Sequence, residues 1–139
     1  MLAQNLGPTS LPSALNKPSP ESPPAALLAA ALAARARAHA PYSQFAVGAA
    51  LIDEQGRIHA GCNVENASYP AGTCAERCAL GAAVVSGHQS FAAVMICSEA
   101  TEPTPPCGIC RQALAEFGTT LAVVATTTSG SEARWTLDE

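Results

Sequence analysis

Apolar runs separated by turn-forming residues divide most of the chain into short helices and strands. Ala and Leu dominate residues 24–39, which predicts a helix that ends before Pro41. Residues 45–52 form a β-rich apolar run, 53–56 have the composition of a turn, and 57–62 alternate apolar and polar positions. This part of the pattern predicts a β-hairpin.

The second half of the chain alternates helices with strands. A helix is predicted over 74–85, with Thr73 as its N-cap and Gly87 as its stop signal. The continuous apolar run at 91–97 is typical of a strand buried on both faces. A further helix is predicted over 107–117, followed by strands over 121–126 and 134–137. This order predicts an α/β domain, a three-layer α/β/α sandwich around a mixed five-stranded sheet.

Residues 1–24 differ from the rest of the sequence. They hold six of the eleven prolines, interspersed with Ser, Asn and Thr, and we predict a disordered tail followed by a single domain over 25–139. We find no signal peptide at the start of the sequence. Six cysteines in a chain without such a signal favour metal or redox chemistry over disulfides, so we expect a cytoplasmic protein.

Composition and charge narrow the possible partners. The formal net charge is −4, and the seven Lys and Arg residues are scattered singly. No basic run could follow a phosphate backbone, so we expect no binding to polymeric nucleic acid. The apolar run at 25–34 is too short to span a bilayer, so we expect no membrane partner. A small neutral ligand fits the low, scattered charge of this chain best.

Two short cysteine motifs predict a metal centre. Cys107 and Cys110 stand three positions apart at the start of a predicted helix, so both thiols lie on one face of its first turn. Cys74 takes the equivalent place in the preceding helix. If the two helix N-termini meet, three thiols converge on one centre. Three protein ligands leave one position of a tetrahedral zinc ion open, as in catalytic zinc sites.

Two charged residues follow Cys74 closely. Glu76 is close enough to stand beside the metal without binding it, so its carboxylate is free to move protons. Three thiolates donate much negative charge, and we predict that Arg77 or Arg111 compensates by a hydrogen bond to a ligating sulfur. Together these residues indicate a hydrolase that uses zinc-activated water.

Other interpretations of the cysteines stay open at this point. We interpret Cys62, Cys78 and Cys97 as small buried hydrophobic residues. Cys78 is, however, the one obvious fourth ligand for a closed structural zinc site, and an isolated C-x-x-C motif could be redox-active. We interpret the histidines as surface or structural residues, namely His39, His59 and His88.

Residues 74–77 (CAER) and 106–112 (PCGICRQ) resemble the zinc signature of the cytidine deaminase family. Residues 41–45, 47–50 and 61–70 are also similar to that family. The resemblance implies a zinc-dependent enzyme of pyrimidine salvage, which deaminates cytidine and 2′-deoxycytidine to uridine and 2′-deoxyuridine with release of ammonia. It also implies a homotetramer with one zinc ion per subunit, bound by Cys74, Cys107 and Cys110, with Glu76 as the catalytic proton carrier.

The same resemblance implies a substrate pocket. Asn63 and Glu65 match residues that hold the ribose hydroxyl groups, Phe45 matches an aromatic residue near the nucleoside, and the N–H of Ala75 is expected to position the base. Two alternatives remain. The substrate could be another cytosine nucleoside, such as blasticidin S, or the chain could be a non-catalytic zinc module with Cys78 as fourth ligand.

Overall fold

The structure, a computed structural model, describes residues 23–139. The predicted tail at 1–24 therefore lies outside the described residues, except for its last two positions. The described chain forms α1 (Ala25–Arg35), β1 (Val47–Asp53), β2 (Ile58–Cys62), a 3₁₀ turn (Tyr69–Ala71), α2 (Ala75–Val85), β3 (Phe91–Ser98), α3 (Gly108–Ala115), β4 (Ala122–Thr127) and β5 (Glu132–Thr136). The 3₁₀ turn is the one element that the sequence pattern did not predict.

The five strands form one mixed sheet in the order β2-β1-β3-β4-β5. β1 is antiparallel to both β2 and β3, and β5 is antiparallel to β4. β3 and β4 are parallel, and the chain between them contains α3. This confirms the predicted three-layer α/β/α sandwich with a five-stranded sheet.

Each face of the sheet has its own apolar core, because side chains alternate between faces along a strand. Leu51 and Ala49 of β1 pack on the face that carries α2 and α3. Ile52 and Ala50 pack with Leu27 of α1 on the opposite face. None of the helices in the described part of the chain is long and apolar enough to cross a membrane.

The ends of α2 are defined by a cysteine and a glycine. Cys74, and not Thr73, is the N-cap residue, so the predicted N-cap was wrong by one position. The predicted stop at Gly87 is confirmed: its φ is +91°, and the N–H of His88 donates to Ala83 O over 3.0 Å. A left-handed glycine with this bond pattern is a common helix ending, because other residues are strained there.

Gly61 brings α2 into direct contact with the sheet. A Cβ atom at this position of β2 would lie 2.3 Å from Ala79 N and 2.6 Å from Ala75 O, both in the backbone of α2. Real side chains do not approach backbone atoms this closely, so only glycine permits the packing. The first turn of α2, which carries Glu76, is positioned by this contact.

We therefore expect Gly61→Ala to lower the free energy of unfolding by about 2–3 kcal/mol, because the added methyl group pushes α2 away from the sheet. Urea denaturation measures this change. Gly81→Ala is the matched control, because Gly81 lies inside α2 and no atom lies within 4 Å of the position that a Cβ would take. There the same substitution should raise the free energy of unfolding by about 0.5–1 kcal/mol. Equal effects at the two positions would contradict the packing explanation.

Candidate active site

The three thiols of the cysteine motifs meet between the N-termini of α2 and α3. Cys74 is the N-cap of α2, Cys107 is the N-cap of α3, and Cys110 lies in the first turn of α3. Their sulfur atoms all lie within 4.8 Å of one another. The condition stated from the sequence, that the two helix N-termini meet, is thus fulfilled in the structure.

The spacing of the sulfur atoms fits a zinc ion. Zn–S bonds of about 2.3 Å in a tetrahedron place neighbouring sulfurs roughly 3.8 Å apart. The distance between Cys74 Sγ and Cys107 Sγ is 3.8 Å. Three thiols without a disulfide at this spacing form a donor set suited to zinc.

The environment of Cys107 favours its thiolate form. Burial acts to raise its pKa, but hydrogen bonds from its neighbours, among them the backbone N–H groups of Cys110 and Ile109 and the Cys74 thiol, together outweigh it, so the pKa is lowered. The N–H of Cys110 donates to Cys107 Sγ over 3.5 Å. A helix N-terminus supplies such donors because its first N–H groups have no partner within the helix.

Cys78 is not part of this thiol group. Among the described residues, the metal-binding arrangement here consists of Cys74, Cys107 and Cys110. Cys78 lies one helical turn after Cys74, and burial raises the pKa of its thiol. Cys78 is only half-buried, so the interpretation of it as a small buried residue holds in part.

Glu76 lies beside the thiols in a nearly closed environment. Its side chain is on the first turn of α2, and only 6% of the residue is exposed. The Cys110 thiol donates to Glu76 Oε2 over 3.6 Å. Burial raises the pKa of the Glu76 carboxyl group, although its own backbone N–H and Cys110 act in the opposite direction. A carboxyl group with a raised pKa is well suited to pick up and release a proton.

The two arginines of the motifs have different partners. The terminal nitrogen of Arg77 donates to Cys74 Sγ over 3.8 Å, as predicted for at least one of them. Arg77 Nε is buried and lacks a partner among the described residues. Arg111 Nε instead donates to the carbonyl oxygen of Pro106, over 3.2 Å, and holds the loop before α3. Positive charge at the thiols therefore comes from Arg77.

Asn63 and Glu65 lie next to the thiol cluster along the backbone. The residue between them, Val64, exchanges two hydrogen bonds of 2.9 Å with Thr73, which immediately precedes Cys74. This pairing was not predicted. It was hard to predict because neither segment belongs to a regular strand.

Both side chains also hold the backbone before β1. Asn63 Oδ1 accepts from the N–H of Val47, and its Nδ2 donates to Phe45 O. Glu65 Oε1 accepts from the N–H groups of Tyr42 and Ser43, over 3.0 and 3.1 Å. These bonds shape the segment that carries Phe45. The structure thus gives both residues a structural role in addition to the one that the resemblance implies.

Phe45 and Ala75 complete the set of predicted site residues. Phe45 is half-buried and follows Gln44, whose φ of 56° turns the chain sharply. Ala75 is fully buried and is the first residue of α2, so its N–H has no acceptor within the helix. Such an N–H group is suited to bind a ligand beside Glu76.

The chain is similar in sequence and structure to proteins of one family. Residues 22–126 match the family described as the cytidine and deoxycytidylate deaminase zinc-binding region. A cytidine deaminase from Sporosarcina psychrophila is 48% identical over 91 residues, 66% of this chain and 67% of that protein. The crystal structure of cytidine deaminase from Burkholderia pseudomallei superposes with a TM-score of 0.78 at 48% identity, covering 81% of this chain and 91% of that one.

Proposed function

The chain belongs to the cytidine and deoxycytidylate deaminase family with its zinc-binding region, and from this premise we propose that it hydrolyses cytidine and 2′-deoxycytidine to the corresponding uridines and ammonia. The observation that carries the proposal is the placement of the Glu76 carboxyl group, buried and 3.6 Å from one of three clustered thiols. This contact supports the proposal that a metal site and a proton carrier act together.

Cys74, Cys107 and Cys110 are the proposed zinc ligands. Zinc held there would supply a Lewis acid that makes water a nucleophile near neutral pH. The three thiolates would weaken this effect by donating negative charge. Arg77 offsets part of that charge through its hydrogen bond to Cys74.

Glu76 moves the protons of the reaction. Its carboxylate takes a proton from the attacking water and donates it to N3 of the cytosine ring while the water oxygen adds at C4. The same group then transfers the remaining hydroxyl proton to the exocyclic amino group. The C4–N bond breaks, ammonia leaves, and the oxygen stays on the ring as the carbonyl group of uridine.

Asn63, Glu65, Phe45 and the N–H of Ala75 are the proposed substrate contacts. Glu65 Oε1 is engaged with backbone N–H groups, but a carboxylate has further acceptor sites for a sugar hydroxyl group. Asn63 likewise uses one donor and one acceptor, and an amide retains a second of each. The bonds to residues 42–47 hold both side chains in place before the sugar binds.

Substrate competition tests this assignment. The zinc-loaded full chain should deaminate cytidine and 2′-deoxycytidine with kcat/KM at least roughly 100-fold above that for free cytosine, because sugar contacts contribute binding energy to the reaction. Cytosine within a single-stranded oligonucleotide should react poorly, since the chain has no basic run. Preference for blasticidin S would favour the alternative substrate, and efficient turnover of the oligonucleotide would contradict the nucleoside pocket.

A homotetramer acting in cytoplasmic pyrimidine salvage completes the proposal. Several large apolar side chains are exposed in the described chain, with relative exposures of 93% for Tyr69, 86% for Val85 and 65% for Ile109. Apolar residues of this kind are suited to be covered by neighbouring subunits. Light scattering should give four times the mass of one chain, and a monomer at micromolar concentration would refute the assembly.

A further inference from the structure

A second group of metal-binding side chains lies far from the thiols. Asp53 ends β1, His59 is on β2, and His88 follows α2. One donor atom of each lies within 4.8 Å of the other two. The thiols are at the N-terminus of α2 and this group is beyond its C-terminus, so the length of an eleven-residue helix, about 16 Å, separates them.

Asp53 is oriented toward the two imidazoles by its own backbone neighbours. Its Oδ1 accepts from the N–H groups of Gln55 and Arg57, over 2.9 and 3.0 Å. Its Oδ2 faces His59 Nε2 at 3.1 Å and His88 Nδ1 at 3.9 Å. The residue is only 1% exposed. A carboxylate that is held by one oxygen and presents the other is in the arrangement that outer hydrogen bonds give to metal ligands.

The guanidinium group of Arg57 already contacts the donor atoms of this cluster. Arg57 Nε lies 3.0 Å from Asp53 Oδ2, and a terminal nitrogen lies 2.7 Å from His88 Nδ1. Because Arg can only donate, His88 Nδ1 directs its lone pair into the cluster. The Arg57 side chain is 50% exposed, so it can swing into solvent, whereas the Asp53 side chain is 1% exposed and cannot leave.

The donors suit zinc in type and spacing. Two imidazole nitrogens and a carboxylate oxygen are a known catalytic-type zinc set, with bonds of about 2.0–2.2 Å. In a tetrahedron such bonds place the donors roughly 3.3–3.5 Å apart. The separations from Asp53 Oδ2 to the two imidazole nitrogens, 3.1 and 3.9 Å, bracket that value, and the two nitrogens lie within 4.8 Å of each other.

We propose that Asp53, His59 and His88 form a second, non-catalytic site for a divalent transition metal such as Zn²⁺, which the guanidinium group of Arg57 covers and the ion displaces. The ion would tie the β1–β2 hairpin to the segment after α2. It would therefore stabilise the end of the sheet remote from the thiols, by mass action and in proportion to the logarithm of metal concentration.

Zinc titration of the full chain tests this proposal. Protein carrying one equivalent of zinc is titrated with Zn²⁺, and bound metal is measured after equilibrium dialysis. We expect one further equivalent at micromolar zinc. His88→Gln should lower the affinity for the second zinc ion at least tenfold, since loss of even an outer hydrogen-bond partner of a metal ligand costs this much. Cytidine turnover should be unchanged. Arg57→Ala should raise the affinity for the second zinc ion, because it removes a guanidinium group that competes with the ion.

His39→Gln is the matched control, since His39 is exposed and lies outside the cluster. The His39→Gln protein should bind the second zinc ion with the same affinity as the wild type. The proposal is overturned if the wild type binds no second ion, or if it binds one that His88→Gln leaves unchanged. The proposal is also overturned if only the Arg57→Ala protein binds a second ion, because Arg57 then occupies the cluster permanently as an ion pair with Asp53.

Discussion

Replacing Glu76 with Gln is expected to lower kcat for cytidine by about 10²–10⁴-fold while the protein keeps its fold and its zinc. The amide has nearly the same shape as the carboxyl group but cannot shuttle a proton between water and the cytosine ring. Glu76 is buried against Cys110, so the substitution removes the charge without opening a cavity. Steady-state kinetics and metal analysis on the same preparation measure both properties.

Glu116→Gln is the control for loss of a carboxylate. Glu116 is exposed at the C-cap of α3, away from the thiols, and its replacement should leave kcat near the wild-type value. A Glu76→Gln protein that binds zinc and still turns over at the wild-type rate would remove Glu76 from the mechanism. A protein that loses zinc would instead assign Glu76 to metal binding.

Replacing Cys110 with Ala is expected to abolish zinc retention at the three thiols and, with it, activity and part of the stability. Cys110 is fully buried and one of three sulfurs around one point. Zinc present at 100 times its dissociation constant stabilises a folded protein by about 2.7 kcal/mol, so a variant without zinc loses that contribution. Metal content after dialysis, and urea denaturation of the same dialysed proteins, measure the two effects.

Cys97→Ala gives the matched control for a buried thiol. Cys97 is also fully buried, but it lies in the core on the opposite face of the sheet. The Cys97→Ala protein should lose some packing energy but keep the equivalent of zinc that the thiols bind. The assignment of Cys110 as a ligand fails if the two variants retain equal amounts of zinc.

The local patterns of this sequence predicted the fold and the thiol cluster well. All five strands and three helices are in the predicted order, because each has a clear hydrophobic period and a Pro, Gly or polar boundary. The spacing of Cys107 and Cys110 depends only on helix geometry. The approach of Cys74 depends on α2 and α3 packing on the same face of the sheet.

Features that depend on long-range contacts were not predictable in the same way. Sequence reasoning treated His59 and His88 as surface or structural residues. They meet Asp53 because the β1–β2 register pairs His59 with Leu51, two residues before Asp53 on the same face of the sheet, and because α2 ends just before His88. The backbone bonds of Asn63 and Glu65 likewise depend on how residues 42–47 pack against the segment after β2. No local periodicity encodes either contact.

The most direct test of the central claim follows the oxygen atom of the product. Zinc-loaded protein is incubated with cytidine in heavy-oxygen water, and the products are identified by mass spectrometry. Hydrolysis at the site of Glu76 and the three thiols predicts uridine with one heavy oxygen on the ring, together with an equal amount of ammonia. Unchanged cytidine, or uridine without the heavy oxygen, would contradict the account.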